Sequence, residues 1–123
     1  MSTNIHLFSQ KELRSLKLKN RIVVSPMCQY RAVEGHIQDW HMAHHSRFAL
    51  GGMALSFVEA TGVEPKGRIS PGCVGLWDNK TEAALKRVID FCKDFEHLLF
   101  DKYYHNIYQP VQLNHFLYYL YNC

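Results

Sequence analysis

The chain reads as an α/β protein with parallel strands, on three observations. Ile22 to Ser25 and Ala54 to Ala60 are short apolar runs of strand length. A stretch at helical spacing follows each of them. The order β-α-β-α calls for right-handed crossovers, and these make neighbouring strands parallel.

Leu7 to Leu18 alternates loosely and predicts a small β-hairpin. The unbroken apolar run Ile22 to Ser25 suits a strand buried on both faces. The polar loop from Pro26 to Gln38 contains Gly35. Asp39 is a good N-cap for a helix from Trp40 to about Leu50, and Gly51-Gly52 ends it as a left-handed glycine would. Ala54 to Ala60 is the second strand. The loop Thr61 to Cys73 is long, and long loops in compact domains are usually functional. Asn79 followed by Glu82 predicts a capping box opening a second helix. Ala84, Leu85, Val88, Ile89 and Cys92 form one apolar stripe on it, and Lys86, Arg87, Asp90 and Lys93 cover the rest.

At 123 residues the chain is the size of one small domain, and its net charge is only +3. No basic block argues for nucleic acid. No run approaches the roughly 18 apolar residues of a membrane span. Met1 to His6 lacks the charged-then-apolar pattern of a secretion signal. Cys28, Cys73, Cys92 and Cys123 make no CxxC, which suits free thiols in a reducing, cytoplasmic setting.

The most informative stretch is Ser25-Pro26-Met27-Cys28-Gln29-Tyr30, just past the first strand. Asp39-Trp40-His41-Met42-Ala43-His44 follows, then Val58-Glu59-Ala60-Thr61-Gly62-Val63, running on to Gly67-Arg68-Ile69-Ser70-Pro71-Gly72. In this order they resemble the N-terminal part of the Old Yellow Enzyme family of flavin-dependent ene-reductases. Cys28 resembles the family's thermophilic-like branch; classical members usually carry Thr at that position. The likeness runs from about Leu7 to about Phe95.

The resemblance implies the first two βα units of a TIM (β/α)8 barrel, preceded by a hairpin that closes its bottom. The barrel is incomplete, since a full one needs about 200 residues or more. It implies FMN as cofactor, with NADPH or NADH as reductant. Ser25, Pro26, Met27 and Cys28 match the flavin-contacting turn, and Ala60 matches a flavin contact at the end of the second strand. Tyr30 matches a position lining the substrate pocket. A thiol beside the ring would tune its potential as a weak donor. Read without its neighbours, Cys28 is a small buried apolar residue and Ala60 is core packing. Tyr30 alone is a tyrosine at the core edge. The residues that donate the proton, bind the substrate carbonyl and hold the flavin phosphate have no counterpart here.

Three other groups invite chemistry. His41, His44 and His45 sit at helical spacing, but no HExxH pattern or third metal ligand accompanies them; a helical face is the simpler reading, with no metal. Glu59 is either a general base or the partner of a neighbouring Arg or loop. Lys66 and Arg68 read as solvated.

Residues 96–123 are a different kind of sequence, with six of the seven tyrosines and no Gly or Ala. Two readings compete: a real segment with an aromatic helix from His115 to Tyr121, or translated frameshift or intron text. The second is favoured, because the break falls where a third barrel strand should begin. Domain boundaries are therefore expected at 5–95 for the barrel portion and 96–123 for the tail.

The expected function is an FMN-dependent NAD(P)H oxidoreductase reducing a small activated alkene, with no nucleic-acid or membrane partner. The alternative is a truncated, non-catalytic fragment without bound flavin. Two geometric expectations follow. Ile22 to Ser25 and Ala54 to Ala60 should be adjacent parallel strands. Cys28 and Ala60 should lie at the same end of that sheet.

Overall fold

The computed structural model describes residues 5–100 and 103–104. In chain order the elements are β1 (Lys11–Leu13), β2 (Leu16–Leu18), β3 (Val23–Val24), α1 (Asp39–Leu50), β4 (Leu55–Phe57), β5 (Thr61–Gly62), β6 (Val74–Gly75), α2 (Asn79–Lys93), β7 (Leu98–Phe100) and β8 (Tyr103–Tyr104). Single 3-10 turns occupy His6–Phe8 and Pro65–Gly67. The hairpin is thus shorter than Leu7 to Leu18: β1 and β2 pair antiparallel from Lys11 against Leu18.

β3, β4 and β7 form one parallel sheet in that order, with Val23 beside Leu55 and Leu55 beside Leu98. The two expected strands are therefore parallel neighbours, and α1 is the crossover between them. The expected second strand is interrupted. β4 ends at Phe57, and the chain pairs again only at β5, which lies between β6 and β8, parallel to both.

The sheet runs on past the expected break after Phe95. Leu98–Phe100 is the third parallel strand of the sheet, entered through a left-handed Glu96 at φ 51°. Its register, Leu98 to Phe100 against Leu55 to Phe57, continues the β-α-β-α order by one more strand. Leu98-Leu99-Phe100 is an apolar run as short as its partners, which the aromatic composition of the following residues obscured. The proposed helix at His115 to Tyr121 and the origin of the later tail lie outside the described residues.

Both helices start one residue earlier than expected. Gln38, not Asp39, is the N-cap of α1. Its backbone N–H donates to Nδ1 of His41 at 3.0 Å. Asp39 lies in the first turn, where a carboxylate suits the positive end of the helix, and it pairs with Arg87 of α2. Asp78, not Asn79, caps α2: its carboxylate accepts the N–H groups of Lys80 at 3.0 Å and Thr81 at 2.8 Å. The reciprocal partner is the Thr81 hydroxyl rather than Glu82, accepting from Asp78 N–H at 3.1 Å. Gly52, at φ +82°, supplies the left-handed exit from α1.

Both helices pack on one face of the sheet. Leu85, Val88 and Cys92 of the α2 stripe are buried against Val58 and Leu99, with Ala84 and Ile89 at the margin. Each fully buried aliphatic chain contributes about 1.5–3 kcal/mol. On the opposite face Leu55 packs with Leu18 and Ala54, flanked by Leu16, Phe57 and Leu98, so the hairpin closes the N-terminal ends of the strands. Asn20 secures that end, donating to Gly52 O at 2.7 Å and accepting from Ile22 N–H at 3.0 Å. Register puts Val23 on the face of Leu55 and Leu98, yet Val23 is 45% exposed. Burial on both faces is thus corrected for this strand. β3 is the edge of its sheet, and among the described residues little beyond the hairpin covers that face.

Candidate functional site

The parallel register puts the ends of β3 and β4 together. Ser25 follows β3 directly, and Ala60 stands three residues beyond the end of β4. The chain between Ser25 and Ala32 folds across this end. Ser25, Pro26, Met27 and Tyr30 are exposed there, while Cys28, Gln29 and Ala60 are half-buried. Cys28 and Ala60 therefore belong to the same end of the sheet, as the parallel strands required.

One carboxylate ties the two segments together. Gln29 N–H donates to Oε2 of Glu59 at 3.1 Å. Oε1 of Glu59 faces Nε2 of His41 at 3.2 Å, a close polar contact not aligned as a hydrogen bond. Both side chains are almost fully buried. Nδ1 of His41 accepts from Gln38, so in the neutral ring the proton is on Nε2, toward Glu59. Glu59 thus holds the loop before it, rather than pairing with an Arg or capping the loop after it.

Gln29 does more than supply its backbone N–H. Its amide nitrogen donates to Met27 O at 2.9 Å, and its amide oxygen accepts from the Trp40 indole N–H at 3.1 Å. Tyr30 then takes a left-handed φ of 54°. Gly72 presses on it: a Cβ at position 72 would stand 2.5 Å from Tyr30 O. Ala32 N–H donates to Gly72 O at 2.9 Å. The Tyr30 phenol is raised above its ordinary value, first by the charge of Cys28 and then by a hydrogen bond to it. Cys73 and Glu59 push it the same way. At neutral pH the phenol is a hydrogen-bond donor at the edge of this surface.

Arg68 is not simply solvated. Its guanidinium donates to Pro65 O at 3.1 Å and Pro71 O at 3.0 Å, stapling the long loop. It also stacks 5.5 Å from the Trp77 ring. The three helix histidines part company. His41 serves Gln38 and Glu59, and His44 accepts from Arg47 at 3.1 Å. His45 is buried with its Nδ1 unpartnered. Among the described residues no group of three or more His, Cys, Asp or Glu could hold a metal ion.

Sequence reasoning named Ser25 to Cys28, Tyr30 and Ala60 but missed Gln29, Trp40 and His41 as organisers of the turn. The available signal was Glu59, a carboxylate inside an apolar run that must find partners when buried.

A family profile described as NADH:flavin oxidoreductase / NADH oxidase matches residues 6–103, past the expected break at Phe95. An NADPH dehydrogenase of Listeria monocytogenes serotype 4a is 46% identical over 86 residues, covering 68% of this chain and 25% of that protein. An NADPH dehydrogenase of Geobacillus thermodenitrificans is 43% identical over 93 residues, covering 74% of this chain and 27% of that protein. The chain thus spans about a quarter of the length of these relatives. Among solved structures, a variant of NCR from Zymomonas mobilis superposes with TM-score 0.69 at 27% identity, covering 80% of this chain and 32% of that one. Old Yellow Enzyme from Pichia sp. AKU4542 gives TM-score 0.75 at 19% identity, over 81% of this chain and 26% of that one, a likeness of fold. The parallel sheet with its flanking helices is a portion of that TIM barrel. No described helix is long and apolar enough to cross a membrane. On the profile match and these identities, the chain belongs to the NADH:flavin oxidoreductase / NADH oxidase family.

Proposed function

We propose that this chain supplies one edge of the flavin site of an FMN-dependent NAD(P)H oxidoreductase that reduces small activated alkenes in the cytoplasm. The observation that carries the reading is the Gln29 to Glu59 hydrogen bond. It joins the Ser25 to Tyr30 turn to the residue before Ala60, at the strand ends where barrels of this kind do their chemistry.

The residues suit the edge of a flat ring. Ala60 presents only a methyl, so a ring can approach the backbone beside it. Cys28 adjoins the turn as a soft, half-buried thiol, and Met27 and Tyr30 are open above it. Ser25 to Cys28 and Ala60 would hold the ring. Bound there, FMN would supply hydride chemistry between the nicotinamide and the β-carbon of the alkene. Cys28 tunes the ring's edge as a weak donor. Tyr30 orients substrate through its hydroxyl.

A second reading, a chain that binds no flavin by itself, is favoured by the exposed Val23 on the β3 edge.

The test is a graft. Residues 6–103 replace the matching stretch of the Geobacillus NADPH dehydrogenase, and FMN content and NADPH-dependent enone reduction are measured. A yellow, active graft supports the reading. A folded, colourless graft overturns it.

A further inference from the structure

We propose that Glu59 is a positioning residue, with His41 as its second support, that fixes Cys28 and Tyr30 through the backbone of Gln29. The inference rests on the flavin reading for its purpose, though not for its geometry.

Three segments converge on this one side chain. Glu59 lies two residues past β4, His41 in the first turn of α1, and Gln29 in the turn between β3 and α1. Glu59 is 2% exposed and His41 is wholly buried. A carboxylate so deeply placed is strongly desolvated unless each oxygen has a partner. Oε2 has Gln29 N–H, and Oε1 has only the imidazole edge of His41. The cheaper solution for core packing would be an aliphatic side chain, as at neighbouring Val58. The carboxylate does what an aliphatic chain cannot, which is to hold a backbone N–H of the exposed turn from beneath.

Cys28 and Tyr30 flank the held residue, and neither has a backbone N–H acceptor among the described residues. Between them, only Gln29 is anchored to the body of the fold. Its side chain splints the turn internally to Met27 and outward to Trp40. Gly72 bounds Tyr30 from the other side. Releasing Gln29 therefore frees Cys28 and Tyr30 together, while β3, β4 and α2 keep their own contacts. Glu59→Gln is nearly isosteric and breaks the device. With its oxygen turned to Gln29, its NH2 meets the N–H of His41, whose other nitrogen is committed to Gln38; turned the other way, its NH2 meets the Gln29 N–H itself.

The test is residue-resolved hydrogen exchange and peptide-mapped alkylation of Cys28, on the 123-residue chain and on the graft. In the unaltered protein the Gln29 amide should exchange at least tenfold more slowly than those of Cys28 and Tyr30. In Glu59→Gln its exchange should rise tenfold or more and Cys28 should alkylate several-fold faster. Leu99 and Val58 amides, and the buried Cys92 thiol, should stay protected. In the graft the same change should shift the flavin's visible spectrum and lower kcat more than it alters KM. Should the variant not fold, the comparison of the three amides in the unaltered protein decides. A Gln29 amide as fast as its neighbours overturns the proposal, as does a Glu59→Gln effect that raises all amides together. A colourless graft with a protected Gln29 amide would sink the flavin reading alone and leave the positioning role standing.

Discussion

The backbone N–H of Gln29 donates to the Glu59 carboxylate at 3.1 Å, bridging two segments 30 positions apart in sequence. The bond makes a surface turn and a strand end into one rigid unit. The half-buried Cys28 precedes Gln29 in the turn, and a buried imidazole backs the carboxylate. Four predictions follow from this unit and its supports.

Gly72→Ala should displace Tyr30. The added methyl would stand 2.5 Å from Tyr30 O, which is backbone and cannot swing aside. Overpacking of this kind costs roughly 1–3 kcal/mol. A denaturant midpoint unchanged from the parent, with the Tyr30 amide resonance unmoved, would show that the loop yields freely.

Leu85→Ala should destabilise the whole α/β layer. Leu85 is 1% exposed and packs in the cluster with Val58, Val88 and Leu99. A Leu truncated at such a site loses about 2–5 kcal/mol. Equilibrium urea unfolding measures it, and a loss well under that range would mean α2 is only loosely docked.

Stability should fall with acid through the imidazole range. Burial, before the charges of His44, His41, His97 and Arg47, lowers His45 from 6.5 to about 3. His97 is likewise lowered by burial; its Nδ1 donates to Met53 O and its Nε2 accepts from Ser56. A lowered imidazole takes up its proton in the unfolded state first. Its contribution is therefore complete above pH 6.5 and is lost as pH falls from there toward about 3. His45→Leu removes the largest of these effects, on the order of a few kcal/mol at the acid end. The check is the melting temperature against pH: the variant's profile should be flatter than the parent's. Parallel profiles would contradict the assignment.

Cys28→Ala, made in the graft, should shift the flavin's potential and alter turnover while FMN stays bound. On the proposed reading the thiol meets the ring's edge rather than its phosphate. Spectroelectrochemical titration reads the shift directly. An unchanged potential with unchanged kinetics would reduce Cys28 to packing.

Much of the fold was legible because periodicity survives locally. The α2 stripe from Ala84 to Cys92, the glycine exit at Gly52 and the parallel pairing of β3 with β4 all follow from pattern and order. Helix starts slipped by one residue because Asp39 and Asn79 are both good caps, and the choice of Gln38 and Asp78 depends on partners at His41 and Thr81. β7 was missed because three apolar residues beside an aromatic tail carry no period of their own. At the site, motif resemblance named Cys28, Tyr30 and Ala60. The inward ones, Gln29 and His41, were not legible, because their roles arise from tertiary contacts with Glu59 and Trp40.

The central claim is that the turn after β3 and the end of β4 meet a flavin. A crystal structure of the FMN-bound graft tests it most directly. Cys28 and Ala60 should both lie in van der Waals contact with the isoalloxazine ring, with Gln29 N–H still on Glu59. A ring bound elsewhere in the barrel, leaving Cys28 and Ala60 facing solvent, would contradict the account.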